Sequence, residues 1–239
     1  MTKDHIRGWA QRYVGKHPLL FFNFYKLRSR HRDLLVDRTT QLVIEGFPRS
    51  ANTFAVVAFE QAQRKSVRIA HHLHMPAQVM QAARWRIPTL VLIRKPTDAV
   101  ISLVIREPRV SICQALKHYI SFYEKVIGYR DAFVVGYFEE VTQDYGAVLE
   151  RVNAKFGSHF TPFDHSKDNV NDVFTRIEER HRARRNSRLD EKQIARPSTV
   201  KAGLKDALKK GLEASEHKKL TARAEAIYED FVSTGSVLE

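Results

Sequence analysis

Three short apolar runs that alternate with helical patterns constrain the fold of this chain more than any other feature. The runs are rich in β-branched residues and read QLVIE (41–45), TLVLIR (89–94) and AFVVGY (132–137). Each run is followed by ten or more residues with helical periodicity. Strands that alternate with helices form a parallel sheet covered by helices. We therefore predict an α/β fold, a single P-loop-type domain with a central parallel β-sheet flanked by helices.

Further segments extend this layout. The stretch SVRIA (66–70) is a candidate fourth strand, and residues 75–86 have helical periodicity that begins near Pro76. A long helix is predicted over 112–130, where apolar residues recur three and four positions apart. These elements keep the alternation of strand and helix along the first two thirds of the chain.

The last third of the chain is more polar. Residues 161–172 are predicted to form a loop, and residues 174–188, with seven Arg and His side chains, are predicted to form a mobile, charged section. Its arginines are expected to face solvent or an anionic acceptor. A final helical segment over 204–231 is predicted to pack back on the sheet. We expect residues 1–40 to be a helical extension and residues 41–239 to be the α/β domain.

Charge and cysteine content limit the kinds of ligand and site. The 239 residues suit one α/β domain, and 40 Lys and Arg against 27 Asp and Glu give a net charge of +13 with His neutral. Such a chain attracts phosphates, sulfates, nucleic acid or anionic lipid. Cys113 is the single cysteine, which excludes an intrachain disulfide and a Cys-based metal site. We expect its side chain to be buried.

The sequence also bears on contact with membranes. No segment approaches the roughly 20 apolar residues that cross a bilayer, and the first residues do not resemble a signal peptide. We therefore expect a cytoplasmic protein. The run PLLFF (18–22) lies among basic residues and predicts either packing on the core or a peripheral membrane contact.

The stretch GFPRSANTF follows the first predicted strand and predicts an anion site. Gly46 and Thr53 stand where a Walker loop has its first Gly and its final Ser or Thr, but Ala51 and Asn52 replace the Gly and Lys between them. A helix that begins after a strand still presents unpaired N–H groups to an anion. Arg49 supplies a cation three residues before the missing lysine. An ordinary strand-to-helix turn is the alternative.

The stretch LIRKPTDAVIS predicts a second anion site. Arg94 ends a strand and Ser102 lies eight residues later, about two turns into the next helix. Alternatively, Pro96 only begins a helix that Asp98 supports, and Arg94 forms a surface pair. Both stretches follow the carboxyl ends of strands, where α/β sheets place ligands.

These motifs resemble those of the sulfotransferases that use 3′-phosphoadenosine 5′-phosphosulfate (PAPS). FPRSANTF is similar to the family's 5′-phosphosulfate loop, RKPTDAVIS to its 3′-phosphate motif, and VVGYFEEVTQDYGAVLERVNAKFG to a later strand and helix. The resemblance covers about residues 41–160, with a weaker match near 196–205. It implies that PAPS is the co-substrate and that no metal is needed.

The resemblance also implies individual roles. Arg49 replaces the family's lysine at the 5′-phosphate, Arg94 and Ser102 bind the 3′-phosphate, and Phe54 stacks on adenine. The loop ARPSTVKAGLK offers further anion ligands, although its first residues also suit the cap of a helix. The implied cofactor-binding residues are Arg49, Ser50, Ala51, Asn52, Thr53, Phe54, Arg94, Ser102, Arg196, Ser198 and Lys201.

The chain departs from the family pattern at several positions. Ala51 replaces a glycine, so we predict that the loop avoids positive φ there. Phe138 stands where the family has tyrosine, and Tyr137 lies one place earlier. Asn52 replaces a threonine. Each departure changes a contact that the family makes with the nucleotide.

A base is needed to remove the proton of an acceptor hydroxyl. In AHHLHMP, His74 occupies the position of the family's His-Leu-Pro histidine, which makes it the candidate base and, with Arg49, a catalytic residue; His72 stands where that segment has lysine. A structural role for His74 is the alternative. Metal binding is not expected, because His71, His72 and His74 are not at helical ligand spacing and lack accompanying Cys.

The resemblance therefore implies transfer of a sulfuryl group from PAPS to a hydroxyl of a glycan, lipid or small-molecule acceptor, which is its expected partner. Two other functions stay open at this point. One is a degenerate P-loop nucleotide kinase, and the other is a nucleotide-binding or basic nucleic-acid-binding protein without catalysis. Only the net charge favours nucleic acid, so we do not expect it as a partner.

Overall fold

The computed structural model describes residues 15–26, 29–185 and 199–233. Its four strands form one parallel sheet in the order β2-β1-β3-β4. The strands are β1 Leu42–Gly46, β2 Ile69–His71, β3 Thr89–Ile93 and β4 Val134–Tyr137. Helices cover both faces, which confirms the predicted α/β fold with a central parallel sheet.

The helices follow the strands in the alternation that the sequence predicts. In chain order they are α1 Pro18–Lys26, α2 Asn52–Ala62, α3 Pro76–Trp85, α4 Pro96–Arg106, α5 Ile112–Val126, α6 Phe138–Gln143, α7 Tyr145–Phe156, α8 Lys167–Arg185, α9 Thr199–Glu213 and α10 Ser215–Ser233. Two short 3-10 segments lie at Ser29–Leu34 and Ile127–Ala132.

The sheet is buried on both faces, which explains why its strands read as continuous apolar runs. Along β3, Leu90 and Leu92 face one core with α2, α7 and α8, whereas Val91 and Ile93 face the other core with α4, α5 and α10. The chain passes from β1 to β2 on one side and returns to β3 on the other. The carboxyl ends of β1 and β3 therefore flank the point where the strand order reverses, the usual position of a ligand site.

Two of the long helical predictions need correction. The helix predicted over 112–130 ends at Val126, and the chain continues as a 3-10 segment with a non-helical Tyr129 next to Gly128, a poor helix former. The final helical segment is two helices, α9 and α10, which pack on α4 and α5. Helix α10 also contacts the sheet, as predicted, because the Tyr137 hydroxyl of β4 donates to the Phe231 carbonyl at 2.7 Å.

The segment after residue 160 was predicted to be a loop over 161–172 and then a mobile, charged section over 174–188, and the loop prediction is wrong beyond Ser166. The mobility of the charged section stays a prediction, and residues 186–188 lie outside the described residues. Helix α8 begins at Lys167 and continues to Arg185. Val173 and Ile177, four residues apart, are buried in the core beneath it, and this contact stabilises a helix whose own apolar pattern is weak. Arg180 also forms a 2.6 Å ion pair with Glu60 of α2.

The helix α1 packs on the core through part of its apolar run, and the peripheral membrane contact stays a prediction. Phe21 and Tyr25 are buried in a cluster that includes Leu73, whereas 78% of Leu19 and 51% of Leu20 are exposed. Within the described residues, no helix has both the length and the apolar character needed to cross a bilayer. Cys113, predicted to be buried, is only partly buried.

Candidate functional site

The loop after β1 is held tightly at its first residue. Gly46 pairs with Leu92 of β3, and a Cβ at Gly46 would collide with the Leu92 carbonyl oxygen. The Phe47 carbonyl then accepts hydrogen bonds from the Ser50 amide at 3.3 Å and from Asn52 Nδ2 at 2.9 Å. These contacts close the chain into a compact turn before α2.

This compact turn overturns the prediction for Ala51. Ala51 has a φ of 66° and Arg49 a φ of 74°, so both adopt the left-handed conformation. The cost is of order 1–2 kcal/mol for each non-glycine residue. The Phe47 carbonyl contacts leave the chain too few residues to enter α2 by an extended path. The first amides of α2 have no partner within the helix, and no side chain caps them at Ala51.

Two tyrosines of α5 fix the strand ends around this loop. The Tyr123 hydroxyl donates to the Leu92 carbonyl at 2.7 Å and accepts from the Phe47 amide at 3.1 Å. One turn earlier, the Tyr119 hydroxyl donates to the Arg94 carbonyl at 2.9 Å. Burial raises the pKa of both hydroxyls, so both remain protonated. Sequence reasoning did not predict this role, although the sequence shows two tyrosines four residues apart on an apolar helix face.

The two arginines predicted from separate motifs meet in space. Arg49 Nε donates to Ser102 Oγ at 2.9 Å, and Arg94 Nη1 donates to the Arg49 carbonyl at 3.3 Å. The Arg94 guanidinium lies 3.9 Å above the Phe138 ring, a cation–π contact that orients it. Phe138 therefore supports a residue of the site.

The electrostatics of this pair favour an anion. Burial is the main cause that lowers the pKa of Arg49 to about 10; the nearby cations Arg106 and Arg94 contribute to the decrease, and Glu107 opposes it. Burial also lowers the pKa of Arg94, against Asp98 and Glu139. Both groups stay cationic at neutral pH. Like charges held this closely are stabilised by a bound anion. Arg106 was not predicted, and it lies one turn beyond Ser102 on α4.

Other loop side chains are engaged within the protein. Ser50 is fully buried beside Tyr123. Asn52 uses its amide nitrogen on Phe47, and its Oδ1 has no hydrogen-bond partner among the described residues. Thr53 Oγ1 lies 3.1 Å from His72 Nε2. Their roles as donors to a phosphosulfate stay predictions.

The geometry of His74 defines its tautomer. Its Nδ1 lies 2.7 Å from the Gly46 carbonyl oxygen, which can only accept, so Nδ1 carries the proton and Nε2 carries the lone pair. Burial lowers the pKa of His74 to about 4, although the bond to Gly46 opposes this effect. The ring is therefore neutral at pH 7, as a base must be.

A buried carboxylate supports His74 and was not predicted. Glu45 is 0% exposed. Its Oε1 accepts the Leu73 amide and its Oε2 the His74 amide, each at 2.9 Å. Burial raises the pKa of Glu45 to about 7, and the hydrogen bonds from these two amides limit the rise. The one signal in the sequence is a charged residue at the end of an apolar strand.

The remaining predicted residues lie apart from this group or cannot be compared with it. Phe54 is 5% exposed, and its ring is surrounded by the aromatic rings of Tyr145, Phe163, His165 and Phe174. Its stacking on adenine stays a prediction. Arg196 and Ser198 lie outside the described residues, and the side chain of Lys201, in α9, is not described either. In the part of the chain that the structure describes, no His, Cys, Asp or Glu side chains are grouped to hold a metal ion.

Comparisons with known proteins give a solved structure that resembles this chain. No family model matches the chain, and no curated protein matches it. The structure is that of mouse sulfotransferase SULT7A1 complexed with PAP. It is 13% identical in sequence, the match covers 82% of this chain and 92% of that chain, and the TM-score is 0.41. At that score the similarity supports no argument about residues or ligands.

Proposed function

We propose that this protein is a sulfotransferase that transfers a sulfuryl group from PAPS to a hydroxyl of a glycan, lipid or small-molecule acceptor. The observation that carries the proposal is the contact of Arg49 with Ser102 and of Arg94 with the Arg49 carbonyl. Two cationic loops at the reversal point of the sheet suit a nucleotide with phosphates at two positions. The motifs of the sequence support the same assignment.

The donor would be held by both loops. Arg49 uses Nε on Ser102, so its two terminal amino groups are the donors for the 5′-phosphate, together with the first amides of α2. Arg94 and Ser102 would bind the 3′-phosphate. Tyr119 and Tyr123 keep the two strand ends, and hence the two loops, at a fixed separation. This arrangement needs little reorganisation when the nucleotide binds.

The reaction follows from the tautomer of His74. His74 Nε2 takes the proton of the acceptor hydroxyl while the acceptor oxygen forms a bond to sulfur. The bond from sulfur to the bridging oxygen of the 5′-phosphate breaks, and that oxygen keeps the electron pair. Arg49 and the α2 amides stabilise the charge on the departing phosphate. The products are the sulfated acceptor, adenosine 3′,5′-bisphosphate and a proton held by His74.

One observation favours a second candidate, a nucleotide-binding protein without catalysis. Asn52 uses its side-chain amide on the Phe47 carbonyl, so this group is engaged inside the loop and not directed to a ligand. Such a protein would bind the nucleotide and would not transfer the sulfuryl group. Binding and turnover must therefore be measured separately.

Calorimetric titration tests the proposed donor site. The full chain is titrated with adenosine 3′,5′-bisphosphate, with AMP and ATP as comparators, without Mg²⁺. We expect selective binding of the bisphosphate, because only it carries both phosphates for which Arg49 and Arg94 are placed. A preference for ATP that appears with Mg²⁺ would contradict the proposal and favour a kinase.

A further inference from the structure

Glu45 is a carboxylate with no contact to solvent in a sheet whose buried side chains are mostly apolar. A buried charged group is costly unless hydrogen bonds satisfy it. Glu45 meets this condition with two consecutive amides of another segment, those of Leu73 and His74, one on each oxygen. The bonds connect residues 28 and 29 positions apart. The carboxylate therefore fixes the course of the chain after β2.

The segment that Glu45 holds is strained. His74 has a φ of 54° and His72 a φ of 60°, and the left-handed region is unfavourable for both. The hydrogen bond from its amide to Glu45 holds the backbone of His74 in this conformation. The carbonyl of Gly46, the residue after Glu45, holds the ring of His74. Two consecutive residues of β1 thus fix both the backbone and the tautomer of His74.

Glu45 is also close to the imidazole ring itself. Its Oε2 lies 3.9 Å from His74 Nδ1. An ionised carboxylate at this distance stabilises the imidazolium that forms when Nε2 takes a proton. The other groups facing this pair are Gln78 of α3 and the Gly46 amide, which lower the pKa of Glu45, and Arg106 of α4, which opposes the charge on His74.

We propose that Glu45 is a positioning residue for His74: its carboxylate holds the Leu73 and His74 amides and so keeps the Nδ1–H tautomer, with Nε2 as the base. The catalytic part of this statement rests on the proposed sulfotransferase function. Glu45 does not contact the reacting atoms and accepts no proton in the reaction. Its effect passes through the backbone and the charge state of His74.

The first test follows the tautomer of His74 in the full chain by ¹⁵N nuclear magnetic resonance, assigned with His74→Ala. Glu45→Gln keeps the size of the side chain, removes its charge and leaves a single oxygen for two amides. We expect the Nδ1–H form to dominate in the native chain and to become the minor form in Glu45→Gln. An unchanged tautomer in a folded Glu45→Gln protein overturns the proposal.

Thr89→Val is the matched control. Thr89 is a fully buried polar residue at the other end of the sheet, and its hydroxyl donates to the Ile87 carbonyl at 2.8 Å. Its substitution removes a buried hydrogen bond from the same sheet, so it destabilises the fold without touching residues 72–75. We expect the native tautomer to persist. If Thr89→Val changes the tautomer as Glu45→Gln does, the effect is general destabilisation and the proposal fails.

A second measurement decides the case if Glu45→Gln does not fold. Lowering the pH of the native chain through about 7 protonates Glu45 without a substitution. We expect the Leu73 and His74 amide resonances to move together with a midpoint in that region, because their acceptor loses its charge. Amides that do not respond at any pH at which the native chain stays folded overturn the proposal.

The nucleotide titration keeps this proposal separate from the proposed function. Adenosine 3′,5′-bisphosphate should bind Glu45→Gln within about twofold of the native affinity, since its phosphates contact other residues. A native chain that does not bind the bisphosphate refutes the proposed function, and the catalytic part of the inference with it. The effect of Glu45 on His74 is then tested only by the measurement of the His74 tautomer.

Discussion

Arg49 Nε donates a hydrogen bond to Ser102 Oγ over 2.9 Å, and this contact joins the loop after β1 to the helix after β3. The two residues are 53 positions apart in the chain and belong to two motifs that the sequence presents separately. Their contact turns two candidate anion sites into one site with two cations. The predictions below test the parts of this site one at a time.

Arg94→Ala should weaken binding of adenosine 3′,5′-bisphosphate by about 10- to 100-fold, the usual effect of losing a charged hydrogen bond. The affinity for AMP, which lacks the 3′-phosphate, should change much less. Calorimetric titration of both nucleotides measures the difference. Arg223→Ala, which removes an exposed arginine paired with Glu124 on α5, is the control. Equal losses for both nucleotides would contradict the assignment of Arg94 to the 3′-phosphate.

Gly46→Ala should destabilise the protein, because its Cβ would collide with the Leu92 carbonyl oxygen, a backbone atom held in the sheet. We expect a loss of about 2 kcal/mol or more in the free energy of unfolding, as is typical of overpacking. Urea unfolding measures it. In the control Gly128→Ala the new Cβ meets no atom within 4 Å, so its stability should equal or exceed that of the native chain. Similar values for the two variants would show that the close approach at Gly46 is unimportant.

Tyr123→Phe should cost about 1–3 kcal/mol of unfolding free energy, because it leaves the Phe47 amide and the Leu92 carbonyl without their buried partner. It should also weaken bisphosphate binding, since Phe47 begins the phosphate loop. Tyr145→Phe is a sharp control. The Tyr145 hydroxyl is buried, and no other described residue hydrogen bonds to it, so its removal should be neutral or stabilising. A Tyr123→Phe protein as stable as Tyr145→Phe would refute the role of α5 in fixing the loop.

His74→Ala should abolish sulfuryl transfer from PAPS while the bisphosphate still binds, because the base is lost and the anion site is intact. Transfer is measured with labelled PAPS against a panel of phenols, alcohols and sugars, first with the native chain. His159→Ala, at a histidine on the loop after α7, is the control. Full transfer by His74→Ala would remove His74 from the role of base.

The pH dependence of stability should reveal the opposed pKa shifts of Glu45 and His74. Folding raises the pKa of Glu45 from 4.5 to about 7, so its stabilising effect is complete below pH 4.5 and is lost as the pH rises through 7. Folding lowers the pKa of His74 from 6.5 to about 4, so its stabilising effect is complete above pH 6.5 and is lost as the pH falls through 4. Each effect amounts to about 3 kcal/mol.

In the native chain these two effects should nearly cancel between pH 4.5 and 6.5. Glu45→Gln should therefore gain stability as the pH rises through that interval, and His74→Ala should lose it. Urea unfolding at a series of pH values measures both slopes relative to the native chain. Slopes of the same sign in the two variants would contradict the opposed shifts.

Much of the fold was predictable from local sequence. The apolar runs of β1, β3 and β4 are long enough to be buried on both faces, and the helices between them have their own periodicity. Proline at the start of α3 and α4 and the capping box at Ser111 mark where helices begin. These signals are local, because each depends on residues within a few positions of one another.

The sequence by itself therefore determined the α/β architecture and the two basic motifs, since spacing and residue type are written within short segments, and the resemblance of its motifs to sulfotransferases added the candidate base. Only the tertiary structure decided that Arg49 contacts Ser102, that Ala51 is left-handed and that Glu45 holds His74. These features depend on hydrogen bonds between segments brought together by packing of the sheet and helices. No local pattern specifies such partners, because burial and loop conformation arise only when the whole domain is assembled.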